Sequence, residues 1–178
     1  DPQEEGGGGG GFEDHLWLTH EEIDAGALAK RVTDPGTGGI AIFLGTTRKD
    51  TVDGKVVDKL DYEAYDTMAL KEMKEVCNEV RSHHAGKKDD EKDASLRAIA
   101  MVHRLGPVQV GEASVGVCVA AAHRGPCLSA AKQAIDLLKA RVPVWKKEIY
   151  SADSDGTAAS AWKENAEWEG SKKAKIVK

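Results

Sequence analysis

Ala113–Tyr150 reads ASVGVCVAAAHRGPCLSAAKQAIDLLKARVPVWKKEIY, and three elements can be parsed from it directly. Val115, Val117 and Val119 share one face of a strand spanning 113–121, while Gly116, Cys118 and Ala120 leave the other face small. Leu128, Ala131, Ile135, Leu138 and Val142 recur at helical spacing, which predicts a helix from about Pro126 to Arg141. Pro143 cannot continue that helix and ends it. Beyond it, alternation in an extended segment places Lys146 and Glu148 on one side and Lys147 on the other.

Working outward, Ile40–Leu44 is an apolar run after Gly38-Gly39 and before Gly45, the pattern of a short buried strand. Val56–Tyr65 puts Val56, Leu60, Tyr62 and Ala64 on one parity. Asp53-Gly54 between these runs is a hairpin signal, so the two strands are expected to pair antiparallel. Ala69, Met73, Val76, Cys77 and Val80 mark a helix over about 66–82. Ala98–His103 is a further strand, Glu21–Arg31 a short helix and Ala158–Trp168 a last one. Hairpins mixed with helices, without strict strand–helix alternation, indicate an α+β fold.

The chain has 178 residues, enough for one domain. Residues 1–11, with the run Gly6–Gly11, are expected to be a disordered tail. Ser171–Lys178 carries four lysines and is expected to fray, which leaves 12–170 as the ordered domain. Lys87–Asp93 (KKDDEKD) has no periodicity and reads as a solvated loop. Hydrophobic residues make up 40% and charged residues 31%, with a formal net charge of -5. That balance argues against general binding to nucleic acid or a membrane surface. No apolar run approaches the ~20 residues of a membrane span, and the N-terminus lacks a signal-peptide pattern. Cys77, Cys118 and Cys127 form no CxxC motif and cannot all pair, so a reduced, cytosolic compartment is expected.

The chemistry collects between Ala120 and Tyr150. His123-Arg124 falls where the small-residue strand ends and the helix begins, a place with free backbone N–H groups and partial positive charge. A guanidinium there suits phosphate oxygens, although pairing with a carboxylate at the helix start would use the same residues. Lys139 lies about 40° from Ile135, at the margin of the apolar stripe, whereas Lys132 lies further toward the flank. Lys139 either lays its stem on apolar surface and sends its ammonium to water, or is partly desolvated and suited to proton transfer. Lys146, Lys147 and Glu148 follow at once. Cations concentrated in an acidic chain imply an anionic ligand. Arg48, after Gly45-Thr46-Thr47 at a strand end, is a further anion-binding candidate.

His103-Arg104, followed by Gly106-Pro107, reads as mainly structural, and His83-His84 as a solvent-facing helix end. No His, Cys, Asp or Glu spacing fits a metal site. Cys77 and Cys118 read as small core residues. Cys127 stands near a helix N-terminus, where a thiol pKa could be lowered. There is no GxGxxG, P-loop or GxSxG signature.

Several separate stretches, in order, resemble one family. They are Phe43–Arg48 (FLGTTR), Leu60–Ala69 (LDYEAYDTMA), Val102–Gly106 (VHRLG), Gly111–Val115 (GEASV), Ala122–Arg124 (AHR) and Ile135–Glu148 (IDLLKARVPVWKKE). Together they resemble the large, catalytic subunits of molybdopterin synthase, the MoaE family, from about Gly39 to Trp168, and eukaryotic more than bacterial members. The resemblance implies an α/β-hammerhead domain that forms a homodimer at the centre of a heterotetramer. It implies a small ubiquitin-like partner whose C-terminal Gly-Gly thiocarboxylate delivers two sulfurs to cyclic pyranopterin monophosphate, opening the cyclic phosphate, with no cofactor of the protein's own. By the same resemblance, Lys139 and Lys146 are the catalytic lysines, and His123, Arg124, Lys147, Glu148 and Arg48 join them in binding substrate, Arg48 reaching a pocket completed across the dimer. Many bacterial members carry a lysine where Thr46 stands, so the Arg48 loop departs from their pattern. Two other functions remain open on the residues alone: a persulfide sulfurtransferase using Cys127, and a non-enzymatic adaptor for a ubiquitin-like tail.

Overall fold

A computed structural model describes residues 13–52, 55–85, 96–151 and 160–163. The first sheet contains β1 (Asp14–Thr19), β2 (Gly39–Thr46), β5 (Leu96–Arg104) and β7 (Ala113–Ala121), in the order β1-β5-β7-β2. β1 runs parallel to β5, and β5 and β2 run antiparallel to β7. The second sheet contains β3 (Thr51–Val52), β4 (Lys55–Ala64), β8 (Val144–Tyr150) and β9 (Ser160–Lys163), in that order, with β6 (Gly106–Gln109) also paired to β4. Three helices complete the described residues: α1 (Ala25–Val32), α2 (Asp66–His83) and α3 (Arg124–Arg141). The fold is α+β, as the mixed pattern of hairpins and helices implied.

Strand parity explains the layering. Ile99 and Met101 of β5 and Val115, Val117 and Val119 of β7 face α2 and α3, forming the main core with Met73, Val76, Val80, Ala134 and Leu138. The opposite parity, Ala98, Ala100 and Val102 with Cys118 and Ala120, packs against Leu28 and Val32 of α1. The small face of β7 is thus the seat of a helix. α1 starts later than Glu21, because the Asp24 carboxylate caps it by accepting from the backbone N–H groups of Gly26 (2.7 Å) and Ala27 (3.2 Å). All five apolar positions expected on α2 are buried.

Several expectations change. β2 does not pair with β4: its partner is β7, and the chain from Thr47 to Asp50 carries it across to the second sheet. The hairpin is confined to β3 and β4, with Asp53-Gly54 outside the described residues. Val57, not Val56, is buried, because the β4–β8 register shifts between Val57 and Lys59 and reverses parity there. On α3 the buried face is Cys127, Ala130, Ala131, Ala134, Ile135 and Leu138, whereas Leu128 is 62% exposed. Small residues let the helix sit close to the sheet, and that proximity outweighs the greater hydrophobicity of Leu128.

Ser160–Lys163 is a strand rather than part of a helix, since its backbone pairs with β8 and tertiary pairing overrides alanine's helix propensity. β1 was not foreseen. It is half-buried throughout and is tied to α2 through Asp14, which accepts from Arg81 and from Lys74 (3.4 Å). The proposed tails at 1–11 and 171–178, the insert at 87–93 and the remainder of 158–168 lie outside the described residues. No helix among the described residues is long and apolar enough to cross a membrane.

Glycine packing gives a test of the β2–β7–α3 junction. A Cβ on Gly38 would lie 2.2 Å from the carbonyl oxygen of Ala122, a backbone atom that cannot yield cheaply, whereas a Cβ on Gly125 meets nothing within 4 Å. Gly38→Ala is expected to destabilise the protein by roughly 1–3 kcal/mol through overpacking. Gly125→Ala, inside the first turn of α3, should be neutral or stabilising by up to about 1 kcal/mol. Urea unfolding of the two variants measures the difference.

Candidate active site

The two sheets meet around a cavity of about 540 Å³. Gly45 and Thr46 at the end of β2, His103 of β5 and Ser114 and Val115 of β7 line it from the first sheet. Val57, Leu60 and Tyr62 of β4, with Val144, Lys146 and Glu148 of β8, line it from the second. The last turn of α3 contributes Leu138 and Lys139, and the loop after β2 contributes Arg48 and Asp50. The core face of the first sheet therefore opens, at its polar end, onto the inner face of the second.

Four of the seven expected residues meet here: Arg48, Lys139, Lys146 and Glu148. Lys139 is half-buried, as its position at the stripe margin implied, whereas Lys132 is exposed and pairs with Asp136 at 2.6 Å. Lys146 stands opposite Tyr62 and Glu148 opposite Leu60 in the β4–β8 register. Glu148 is buried and accepts from the Tyr150 hydroxyl at 2.8 Å. Arg48 projects into solvent and pairs with Asp50 at 3.3 Å. Exposed pairs of that kind contribute little, so an entering anion can take the guanidinium.

The other three lie elsewhere. Lys147 points to the opposite face of β8, where its ammonium stands 5.7 Å from the Trp162 ring centroid. His123 and Arg124 are exposed at the N-terminus of α3, His123 being its N-cap residue. Fifteen residues of helix separate Arg124 from Lys139, roughly 22 Å along the axis. One small ligand cannot touch both groups within a single copy of the chain.

Tyr62, Ser114 and His103 were not anticipated in the site. The Tyr62 hydroxyl donates to Ser114 Oγ (3.2 Å), which donates to the Gly45 carbonyl (3.2 Å). Burial raises the Tyr62 phenol above its ordinary value, partly offset by that hydrogen bond. His103 is only 6% exposed and stands edge-on to Tyr62, with ring centroids 5.0 Å apart. Burial pushes its pKa down to about 4, against the opposing effect of a 2.9 Å hydrogen bond to the Arg104 carbonyl. Arg104 is structural, as expected: it pairs with Glu112 at 3.0 Å, and Glu112 also accepts from the Gln109 N–H. The signal for His103 was its parity with Ile99 and Met101, which carries the core face to the strand's last turn.

His83 is exposed, but His84 is half-buried against Gln133 of α3 at 3.0 Å and does not face solvent as expected. The thiols are buried. Cys127 donates to the Val119 carbonyl at 3.2 Å, and burial raises its pKa, overriding the lowering expected near a helix N-terminus. Cys118 is pushed up to about 12 and Cys77 is raised as well, both by burial. Among the described residues no group of three or more His, Cys, Asp or Glu side chains could hold a metal ion.

The family profile described as "MoaE protein" matches residues 18–141. A Drosophila melanogaster protein named "Molybdopterin synthase catalytic subunit" is 46% identical over 154 residues, 86% of this chain but 38% of its own length. The chain therefore spans about two fifths of that relative. "Molybdopterin synthase catalytic subunit 1" of Aedes aegypti is 44% identical over 158 residues, covering 89% of this chain and 94% of its own. Among solved structures, the molybdopterin synthase of Staphylococcus aureus superposes with a TM-score of 0.70 at 28% identity, over 83% of this chain and 95% of that one.

The depressed pKa of His103 gives a pH test. Its folded value, about 4, lies below the unfolded 6.5, so the unfolded chain binds a proton that the folded chain refuses. The stabilisation is complete above pH 6.5 and is lost as pH falls toward 4, of order 2 kcal/mol between pH 7 and 5. Urea midpoints should show this loss in the native chain, and His103→Asn should lack that component.

Proposed function

The chain belongs to the MoaE protein family, and on that premise we propose that it is the catalytic subunit of a molybdopterin synthase. It would convert cyclic pyranopterin monophosphate to molybdopterin with two sulfurs from the thiocarboxylated Gly-Gly tail of a small ubiquitin-like subunit. The observation that carries this proposal is the meeting of Lys139, Lys146 and Arg48 in one cavity at the junction of the sheets. The substrate and the sulfur donor are both anionic. Preorganised cations offset their mutual repulsion and stabilise oxyanions as these develop. Lys139 and Lys146 act at the thiocarboxylate and the reacting carbons, and Arg48 engages phosphate. Glu148 contributes a buried carboxylate beside Lys146 on the inner face of β8. Sulfur arrives from outside, so the chemistry asks for no cofactor bound to this chain, and the cytosol is the compartment we assign.

His123 and Arg124 enter this scheme through a second copy. Their distance from Lys139 along α3 supports a pocket that one copy begins and its partner completes, within a homodimer that carries a small subunit at each end. β2 is an edge strand among the described residues and leaves Ile40, Ile42 and Phe43 37–40% exposed, which supports burial of that side in an assembly. Lys147, on the far face of β8 beside Trp162, has no place at the reacting atoms; we assign it to the rim that receives the acidic tail.

The test is reconstitution of the complex with thiocarboxylated small subunit and cyclic pyranopterin monophosphate, following molybdopterin. Lys139→Ala should lower turnover by about 10²-fold or more while small-subunit binding persists, and Lys139→Arg should not restore it if an amine must move a proton. Cys127→Ala should keep most activity. An assembled wild-type complex that makes no molybdopterin would overturn the proposal, and loss of activity in Cys127→Ala would favour a persulfide route.

A further inference from the structure

The proposed chemistry leaves His103 without a task, yet the cavity is built around it. A carbonyl oxygen only accepts, so the 2.9 Å contact with Arg104 places the imidazole proton on Nδ1 and the lone pair on Nε2. Among the described residues no protein group takes up Nε2, and the ring forms part of the cavity wall. Tyr62, against which it stands, occupies the register position opposite Lys146. The neighbouring polar groups are differently engaged. Lysine ammoniums are donors only, Glu148 accepts from Tyr150, Asp50 from Arg48, and the Tyr62 hydroxyl is spent on Ser114.

A thiocarboxylate sulfur that has bonded to a substrate carbon is still joined to the tail's carbonyl carbon, as a thioester. Releasing it takes water. The water oxygen bonds to that carbonyl carbon, and the bond from carbon to sulfur breaks with its electron pair left on sulfur. The tail departs as a carboxylate and the substrate keeps a thiolate. Two protons are set free and nothing is oxidised or reduced.

Resting on the molybdopterin synthase proposal, we propose that His103 is the general base of this hydrolysis, its Nε2 taking the first proton from the attacking water. The carboxyl proton passes to solvent, and the imidazolium gives up its own before the next sulfur arrives. Burial keeps the ring neutral, and the substrate's phosphate, with the oxyanion that develops on the attacked carbonyl, favours the imidazolium as it forms.

Single-turnover reconstitution, with mass spectrometry of the small subunit, tests this. Wild type should show the tail–substrate thioester only transiently. His103→Asn keeps a donor near the Nδ1 position for the Arg104 carbonyl but has nothing at Nε2. The thioester should still form in that variant, and its breakdown should slow about 10²–10⁴-fold, the usual contribution of a general base. His103→Gln, which offers an acceptor near Nε2 but cannot hold a proton at neutral pH, should behave alike. Breakdown at the wild-type rate in a folded variant overturns the inference, as does a folded variant in which no thioester forms. Should neither variant fold, thioester breakdown by wild type in D2O decides: slowing supports a proton in flight, and an unchanged rate overturns it. A wild-type complex that makes no molybdopterin at all brings down the proposed function, and this inference with it, a pattern distinct from a defect confined to the variants.

Discussion

The pairing of β4 with β8 is the constraint on which the cavity depends. Its register sets Lys146 opposite Tyr62 and Glu148 opposite Leu60. Because side chains alternate, one choice of register sends Lys146, Glu148 and Tyr150 inward and leaves Trp145 and Lys147 outside. A slip by one residue would exchange Lys146 for Lys147 and move the buried Glu148 to the surface. Pro143 guards against that slip. It ends α3, and its carbonyl accepts from the Tyr65 N–H at 3.4 Å, so the start of β8 is fixed to the end of β4.

α3 distributes charge along a rigid 18-residue rod. At its C-terminal end, neighbouring cations meet different fates. Arg141 turns toward α2 and is held by Glu72 (3.2 Å) and Glu79 (2.6 Å), so it serves packing. Lys139, two residues earlier, is rotated by about 200° and turns to the cavity instead. At the N-terminal end, His123 and Arg124 stay exposed, at the helix end that carries partial positive charge. A net charge of -5 is compatible with two locally cationic places, and elsewhere Lys74, Arg81, Arg104, Lys132 and Arg141 pair with carboxylates.

What could be read from the sequence was what depends on periodicity. The α2 stripe, the two faces of β7, the margin position of Lys139 and the opposed directions of Lys146 and Lys147 all follow from a period of 3.6 or 2. What could not be read depends on partners distant in the chain. β2 has the same apolar run whether it pairs with β4 or β7, and local sequence favoured the nearer hairpin. The burial of Cys127 and the exposure of Leu128 depend on how closely α3 approaches the sheet. His103 looked like part of a turn because Gly106-Pro107 follows, and only the second sheet, closing over it through Tyr62, makes it a cavity wall. The separation of His123-Arg124 from Lys139 was implicit in the helix length, but proximity in sequence made the cations look like one cluster.

The three cysteines bear on the chemistry through their burial. Each thiol sits in the core, and each is less acidic than a free cysteine because the surrounding protein disfavours a thiolate. Such a thiol is a poor nucleophile and a poor persulfide carrier, since it neither ionises nor reaches the cavity. Cys127 illustrates how position can mislead: the helix end that would lower its pKa is outweighed by burial. With no ionisable thiol to offer, the cavity is left, under the proposed function, with holding charge and moving protons around a sulfur that a partner brings. Lysines and a guanidinium suit the first task. The second calls for at least one group that accepts, and on the inference drawn above the imidazole of His103, whose Nδ1 is held by the Arg104 carbonyl and whose ring forms part of the cavity wall, is that group.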